Sequence, residues 1–224
     1  MDNRLIIALD VFEETKALEI SKNVSDMVFA VKINWPLILG AGPGIIAKLS
    51  RFTRVICDLK IADIPNTNSL ITQKVYEMGA YGVIAHAFVG GDSLRAVVES
   101  ARGIKVLAVV AMSHPGASDF MEKDLDGLLS LALKSGVDGF IAPGNNPSMI
   151  RRVRERSMNK PIVSPGIGAQ GGNAVEAVMN GTDYVIVGRS VYESANPEQV
   201  VGELNWQISE GLERRPGRYE ILNL

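Results

Sequence analysis

The segment richest in usable chemistry is Asp58-Leu59-Lys60-Ile61-Ala62-Asp63. It closes an apolar run that starts near Arg54. Residues two apart in a strand share a face, so Asp58 and Lys60 are expected to project together with Asp63 just beyond. Lys32 sits in another apolar run. If it points the same way, Lys32, Asp58, Lys60 and Asp63 form an alternating network of zero formal charge. Buried ion pairs stabilise a fold poorly beside apolar packing, so charges gathered in one place point to function. A lysine there has two chemistries, Schiff-base formation as a neutral amine or electrostatic and acid catalysis as an ammonium. Flanking carboxylates favour the ammonium, which suits stabilising a carbanion and then protonating it. A substrate carboxylate held beside Asp58 would be repelled, which favours its departure as carbon dioxide.

Such a network needs a scaffold that brings strand ends together. Eight short runs rich in Val, Ile and Leu recur, near Leu5–Asp10, Val28–Ile33, Arg54–Lys60, Gly82–His86, Val106–Met112, Gly139–Ala142, Pro161–Ser164 and Tyr184–Val187. Each is followed by a longer stretch of mixed polarity that reads as helix, the pattern of parallel strands buried on both faces. Dividing 224 residues by eight leaves 28 per unit, which fits a compact strand-plus-helix repeat. The expected fold is therefore α/β, a single-domain (β/α)8 TIM barrel over residues 1–224. An open doubly wound sheet is the alternative, but its usual glycine-rich turn after the first strand is replaced here by Leu9-Asp10-Val11. Two helices carry punctuation: Ser118-Asp119 is expected to cap a helix from Phe120 to Lys134 ended by Gly136, and Asn66-Thr67 to open one running to Met78 before Gly79.

In such a barrel the active site lies at the carboxyl ends of the strands. Around the ring these ends offer Asp10, Lys32, Asp58 with Lys60, His86, Ser113, Pro143-Gly144, Pro165-Gly166 and Gly188-Arg189. Loops after the seventh and eighth strands commonly bind phosphate through backbone N–H groups. The run Ser164-Pro165-Gly166-Ile167-Gly168-Ala169-Gln170-Gly171-Gly172 and the forked cation of Arg189 fit that use, and the glycines with Gln170 could also form a closing lid. His86 reads as a satisfied barrel histidine and His114 as a loop residue. Neither has metal-ligand spacing, Ser113 lacks a G-x-S-x-G elbow, and no dinucleotide or P-loop fingerprint is present, so neither cofactor nor metal is indicated.

Composition narrows the partners. With 46% apolar and 21% charged residues the chain is ordinary globular protein, and a net charge of −2 gives no excess to hold nucleic acid or an anionic membrane. The lone Cys57, inside Val55-Ile56-Cys57, reads as a buried inert thiol. The amino-terminal apolar stretch, Leu5 to Leu9, is too short for a signal segment and the others are strand-length, so a soluble cytoplasmic protein is expected.

Taken together, Asp58-Leu59-Lys60-Ile61-Ala62-Asp63-Ile64-Pro65-Asn66-Thr67-Asn68, Met112-Ser113-His114-Pro115-Gly116-Ala117, the Ser164 to Gly172 run and Val187-Gly188-Arg189-Ser190 resemble the orotidine 5′-phosphate decarboxylase family in its compact microbial, especially archaeal, form. The resemblance runs from Asp10 to Arg189 and leaves the tail, 214–224, without a role. It implies metal- and cofactor-free decarboxylation of orotidine 5′-monophosphate to uridine 5′-monophosphate (UMP), the last step of de novo pyrimidine nucleotide synthesis. It makes Lys60 the proton donor to C6 of the pyrimidine. Asp58 crowds the substrate carboxylate and holds Lys60, while Asp10 and Lys32 contact the ribose hydroxyls. Ser113 reads the pyrimidine edge. Gln170 and Arg189 grip the phosphate with backbone help from Gly188, under a lid from Pro165 through Gly168 to Gly172. Asp63, Ile64 and Thr67 are supplied by the second subunit of a homodimer. Magnesium-dependent sugar-phosphate decarboxylases or aldolases of the same suprafamily share the D-x-K-x-x-D strand, but usually continue with Ala-Gly in place of Ile64-Pro65. A non-catalytic nucleotide-binding barrel is the remaining alternative.

Overall fold

In the computed structural model, which describes residues 3–224, the apolar runs become eight strands: β1 (Leu5–Leu9), β2 (Ala30–Ile33), β3 (Arg54–Ile61), β4 (Gly82–His86), β5 (Lys105–Val109), β6 (Gly139–Ile141), β7 (Ile162–Ser164) and β8 (Tyr184–Val187). All neighbours pair in parallel and β8 closes on β1, so the barrel follows sequence order. This is the expected (β/α)8 fold. Helices α1 (Glu14–Val24), α2 (Trp35–Ala41), α3 (Ile45–Leu49), α4 (Pro65–Glu77), α5 (Gly91–Ser100), α6 (Leu125–Ser135), α7 (Pro147–Arg156), α8 (Ala174–Met179), α9 (Arg189–Tyr192) and α10 (Pro197–Glu213) lie between and after the strands.

Strand alternation divides the core into two layers. Leu5, Ile7 and Leu9 belong to the outer layer beneath the helices, whereas Ile6, Ile56, Ile84, Leu107 and Ile186 fill the barrel interior. Most strand ends shift by one or two residues from the sequence reading, and three boundaries differ for a local reason. β5 ends at Val109, and Val110 to Met112 run on as buried or half-buried chain because β6 stops at Ile141 and offers no further ladder. α4 starts at Pro65, whose fixed φ suits the first helical position. The helix expected from Phe120 starts only at Leu125: the Ser118 hydroxyl donates back to the Pro115 carbonyl (2.9 Å) and closes a 3-10 turn, Pro115–Asp119, instead of capping a helix. Gly136 does end that helix in the left-handed conformation, φ 86°.

The tail, 214–224, left without a role by the resemblance, packs against the amino-terminal end of the barrel. Phe29, Tyr81 and Tyr184 form a ring cluster there, with centroids 5.6 and 4.5 Å from Phe29. The Tyr81 hydroxyl donates to the Leu224 carbonyl (3.0 Å) and Arg4 to the Leu222 carbonyl (2.7 Å). Beneath them Asp183, fully buried, pairs with both Arg154 and Arg215. Arg215 also donates to the carbonyls of Thr182, Tyr219 and Glu220, so it joins the tail to the barrel. Arg215→Ala should therefore lower stability by about 3 kcal/mol, the range for breaking one partner of a buried pair. Because this end is opposite the strand carboxyl ends, kcat should stay within about twofold of the parent. Denaturant midpoints with parallel rate measurements check both.

Candidate active site

At the carboxyl ends of the strands four charged groups meet in one chain of contacts. Lys60 Nζ, at the end of β3, lies 2.7 and 2.8 Å from the two carboxylate oxygens of Asp58. Lys32 Nζ, from β2, is 3.1 Å from Asp58 Oδ2 and 3.5 Å from Asp10 Oδ1, just beyond β1. Lys32 and Asp58 are buried, and Lys60 and Asp10 reach toward the opening. The order is Asp10, Lys32, Asp58, Lys60, with zero formal charge.

The network differs from expectation in one member. Asp63 lies outside it. Its carboxylate accepts from the Ile64 amide (2.7 Å), its own amide donates to Asn68 Oδ1 (3.1 Å), and its carbonyl accepts from Ser93 Oγ (2.8 Å). These bonds commit Asp63 to the turn that starts α4, and Asp10 occupies the fourth place instead. The route by which Asp58 meets Lys60 also departs from simple alternation. Register against β4 shifts between Cys57 and Ile61, and Lys60 adopts φ 46°, a left-handed conformation that costs a non-glycine residue about 1–2 kcal/mol. A bulge thus folds the ammonium back over Asp58.

Burial opposes charge on both central groups, but the partners outweigh it. Lys32 is held above the usual lysine range by Asp58 and Asp10 against the effect of burial, and Asp58 below the usual carboxylate range by Lys32 and Lys60 against the same effect. His86 behaves oppositely. Burial first, and the nearby Lys60 second, push it down to about 4, so it is neutral at physiological pH. It is not the satisfied histidine the sequence pointed to, because its buried Nδ1 has no partner among the described residues while its ring rests 4.6 Å from that of Phe88. Burial also pushes the Cys57 thiol up to about 12, which makes it unreactive in the folded protein.

These shifts set a pH profile of stability. The unfolded chain takes up a proton at His86 near 6.5 and the folded one only near 4, so stability should fall as pH drops through that interval. Asp58 adds a further loss below about 3.8, and Lys32 a loss above about 10.5 as pH rises toward its raised value. The unfolded chain ionises Cys57 near 9 and the folded one only near 12, so a loss also sets in above about 9. A plateau between about 6.5 and 9 is expected, with the 6.5-to-4 slope flattened in His86→Gln. Denaturant midpoints across pH measure it.

The pocket continues to the β7 and β8 loops. Pro165, Gln170, Gly188 and Arg189 line it, Arg189 being exposed, and Ser113 lines it from beyond β5. Ser113 Oγ donates to Gln170 Oε1 (2.8 Å), which ties the glycine-rich loop after β7 to the segment beyond β5. That loop is folded on itself by Gly172 N to the Gly166 carbonyl (3.0 Å) and Gly168 N to the Gly172 carbonyl (2.9 Å). Gly168 shapes this turn and does not line the pocket: its φ is +73°, and a Cβ there would meet Ser190 Oγ at 2.7 Å. Asp63, Ile64 and Thr67 are likewise outside the pocket of their own chain, with Ile64 64% exposed. Sequence reasoning missed the apolar wall of Ile84, Val109, Ile141 and Ile186, each a strand residue facing the interior, and it missed Asn34. The wall's signal was alternation within strands whose positions were already known.

Fold and site together define a class: a (β/α)8-barrel enzyme with paired lysines and carboxylates at one rim and a glycine-rich loop at the other. Residues 3–204 match the model of the orotidine 5′-phosphate decarboxylase / HUMPS family, and the chain belongs to that family. It is 51% identical to an orotidine 5′-phosphate decarboxylase of Thermoplasma volcanium over 96% of this chain and 97% of that one, and 48% identical to that of Thermococcus kodakarensis over 93% and 98%. Among solved structures, the Methanocaldococcus jannaschii enzyme complexed with the inhibitor BMP is similar with a TM-score of 0.88, 38% identity and 93% and 99% coverage of the two chains. The Pyrococcus horikoshii enzyme gives 0.86 at 45% identity, covering 92% and 99%. No helix among the described residues is long and apolar enough to cross a membrane.

Proposed function

We propose that this chain converts orotidine 5′-monophosphate to UMP and carbon dioxide with its own side chains. The observation that carries the reading is the Lys60 ammonium held by both oxygens of Asp58 and backed by Lys32. The substrate carboxylate on C6 lies against Asp58 and leaves as carbon dioxide, the electron pair stays on C6, and Lys60 stabilises it and delivers a proton there. Lys60 then recovers a proton from water. Phosphate binding by Gln170 and Arg189 supplies the energy that presses the carboxylate toward Asp58. Asp10 and Lys32 take the ribose hydroxyls and Ser113 the pyrimidine edge. A magnesium-dependent reaction on a sugar phosphate is disfavoured, because the Asp58 oxygens are engaged by two ammonium groups and no cluster of three acidic, histidine or cysteine side chains is placed for a metal among the described residues.

The reading includes a homodimer in the cytoplasm. Phe12, Trp35, Ile64, Phe88 and Phe120 are exposed and follow β1 to β5 in turn, an apolar arc along the rim that carries Asp63 and Thr67. A second copy seated there would bring Asp63, Ile64 and Thr67 to the neighbouring pocket. Purified protein treated with a chelator should consume orotidine 5′-monophosphate, followed by ultraviolet absorbance. Inactivity on it, with magnesium-dependent turnover of a β-keto sugar phosphate, would reverse the assignment. Arg189→Ala should raise KM by about 100-fold through the lost phosphate contact, with UMP affinity falling in parallel by calorimetry.

A further inference from the structure

Among the described residues four helices have asparagine at the amino-terminal capping position, and three of those side chains do what asparagine does there. Asn146 accepts from Met149 N, Asn173 from Glu176 N and Asn196 from Gln199 N. Asn34, before α2, makes no such bond, although Leu37 N is at the equivalent third helical position. Its backbone is extended, φ −141° and ψ −168°, and it lies two residues beyond Lys32, so its side chain faces the side that Lys32 faces. Asn34 lines the pocket, and its Oδ1 is buried with no group among the described residues donating to it. The next residue fixes it in place: the Trp35 indole N–H donates to the Leu59 carbonyl (3.2 Å), between Asp58 and Lys60.

A buried acceptor without a donor costs about 1–3 kcal/mol, and forgoing a helix cap about 1 kcal/mol more. Both costs are offset when a ligand brings the donor. On the reading above, the phosphate and the reacting carboxylate have no hydrogen to give, and the pyrimidine edge lies across the pocket at Ser113. The donor left at the β1–β2 side, beside Asp10 and Lys32, is a sugar hydroxyl. A neutral carboxamide supplies an acceptor there and leaves the four-charge network balanced.

We infer that Asn34 is a substrate-binding residue whose carboxamide oxygen accepts a hydrogen bond from a ribose hydroxyl of the nucleotide, and that it makes the pocket select ribo- over deoxyribonucleotides. This rests on the orotidylate reading, and the test separates the two. Calorimetry is run with UMP, 2′-deoxy-UMP and 3′-deoxy-UMP on the parent, Asn34→Ala and Asn34→Asp. The parent should bind one deoxy analogue about tenfold more weakly than UMP. Asn34→Ala should lose about tenfold in UMP affinity and show no further penalty for that analogue, whereas Asn34→Asp, which keeps an oxygen of the same placement, should retain the discrimination. UMP binding by the parent with deoxy penalties unchanged in Asn34→Ala, or abolished in Asn34→Asp should Asn34→Ala not fold, overturns the role of Asn34 and leaves the function standing. Failure of the parent to bind UMP overturns both.

Discussion

Lys60→Ala should lower kcat for orotidine 5′-monophosphate by on the order of 10⁴-fold or more while leaving UMP affinity within about tenfold of the parent. The two readouts separate because the side chain is proposed to act on charge that exists only after carbon dioxide departs. UMP carries no such charge, and its phosphate is held at the far rim by Gln170 and Arg189, which line the same pocket. Arginine is not an equivalent replacement for this ammonium, since it cannot give up its proton. Steady-state rates with calorimetry of UMP check the split, and near-parent turnover in Lys60→Ala would remove Lys60 from the chemistry.

Asp58→Asn should affect stability and catalysis at once. The substitution keeps shape and removes charge, so Lys32, only 6% exposed at its side chain, is left among the described residues with Asp10 at 3.5 Å as its one anion. Leaving a buried cation so poorly compensated costs about 3–5 kcal/mol, to be read from the denaturant midpoint. Lys60 loses both of its contacts, and kcat should fall by about 10²–10⁴-fold. KM should fall as well, because the repulsion between Asp58 and the substrate carboxylate disappears from the bound ground state. A raised KM with kcat unchanged would make Asp58 a binding residue only.

Much of this molecule is legible in its sequence because parallel strands buried on both faces must be apolar throughout, and they announce themselves as short runs. The polar residues that end those runs then have few places to go but the mouth. Asp10, Lys32, Asp58, Lys60, Ser113, Gln170 and Arg189 all line one pocket. What could not be read is what depends on irregular backbone or on distant contacts. The Lys60 bulge is invisible to a rule of alternation, and so is the replacement of Asp63 by Asp10 in the network. The Pro115 turn took the Ser118 hydroxyl that looked like a helix cap. Arg215 reaches Asp183 across 32 residues of sequence, a pairing that no local pattern encodes. Asn34 was missed because asparagine before a helix has a commonplace explanation, and it is set apart by the missing cap bond and the buried Oδ1, which only the folded structure reveals.

If Lys60 delivers a proton to C6, microscopic reversibility requires that it also remove one, and UMP incubated with the protein in heavy water reports this directly by proton magnetic resonance. The expected result is loss of the C6 hydrogen signal with the parent at a rate far above that in buffer, and no such enhancement with Lys60→Ala at a UMP concentration that saturates both. Equal exchange in parent and variant would contradict proton transfer by Lys60.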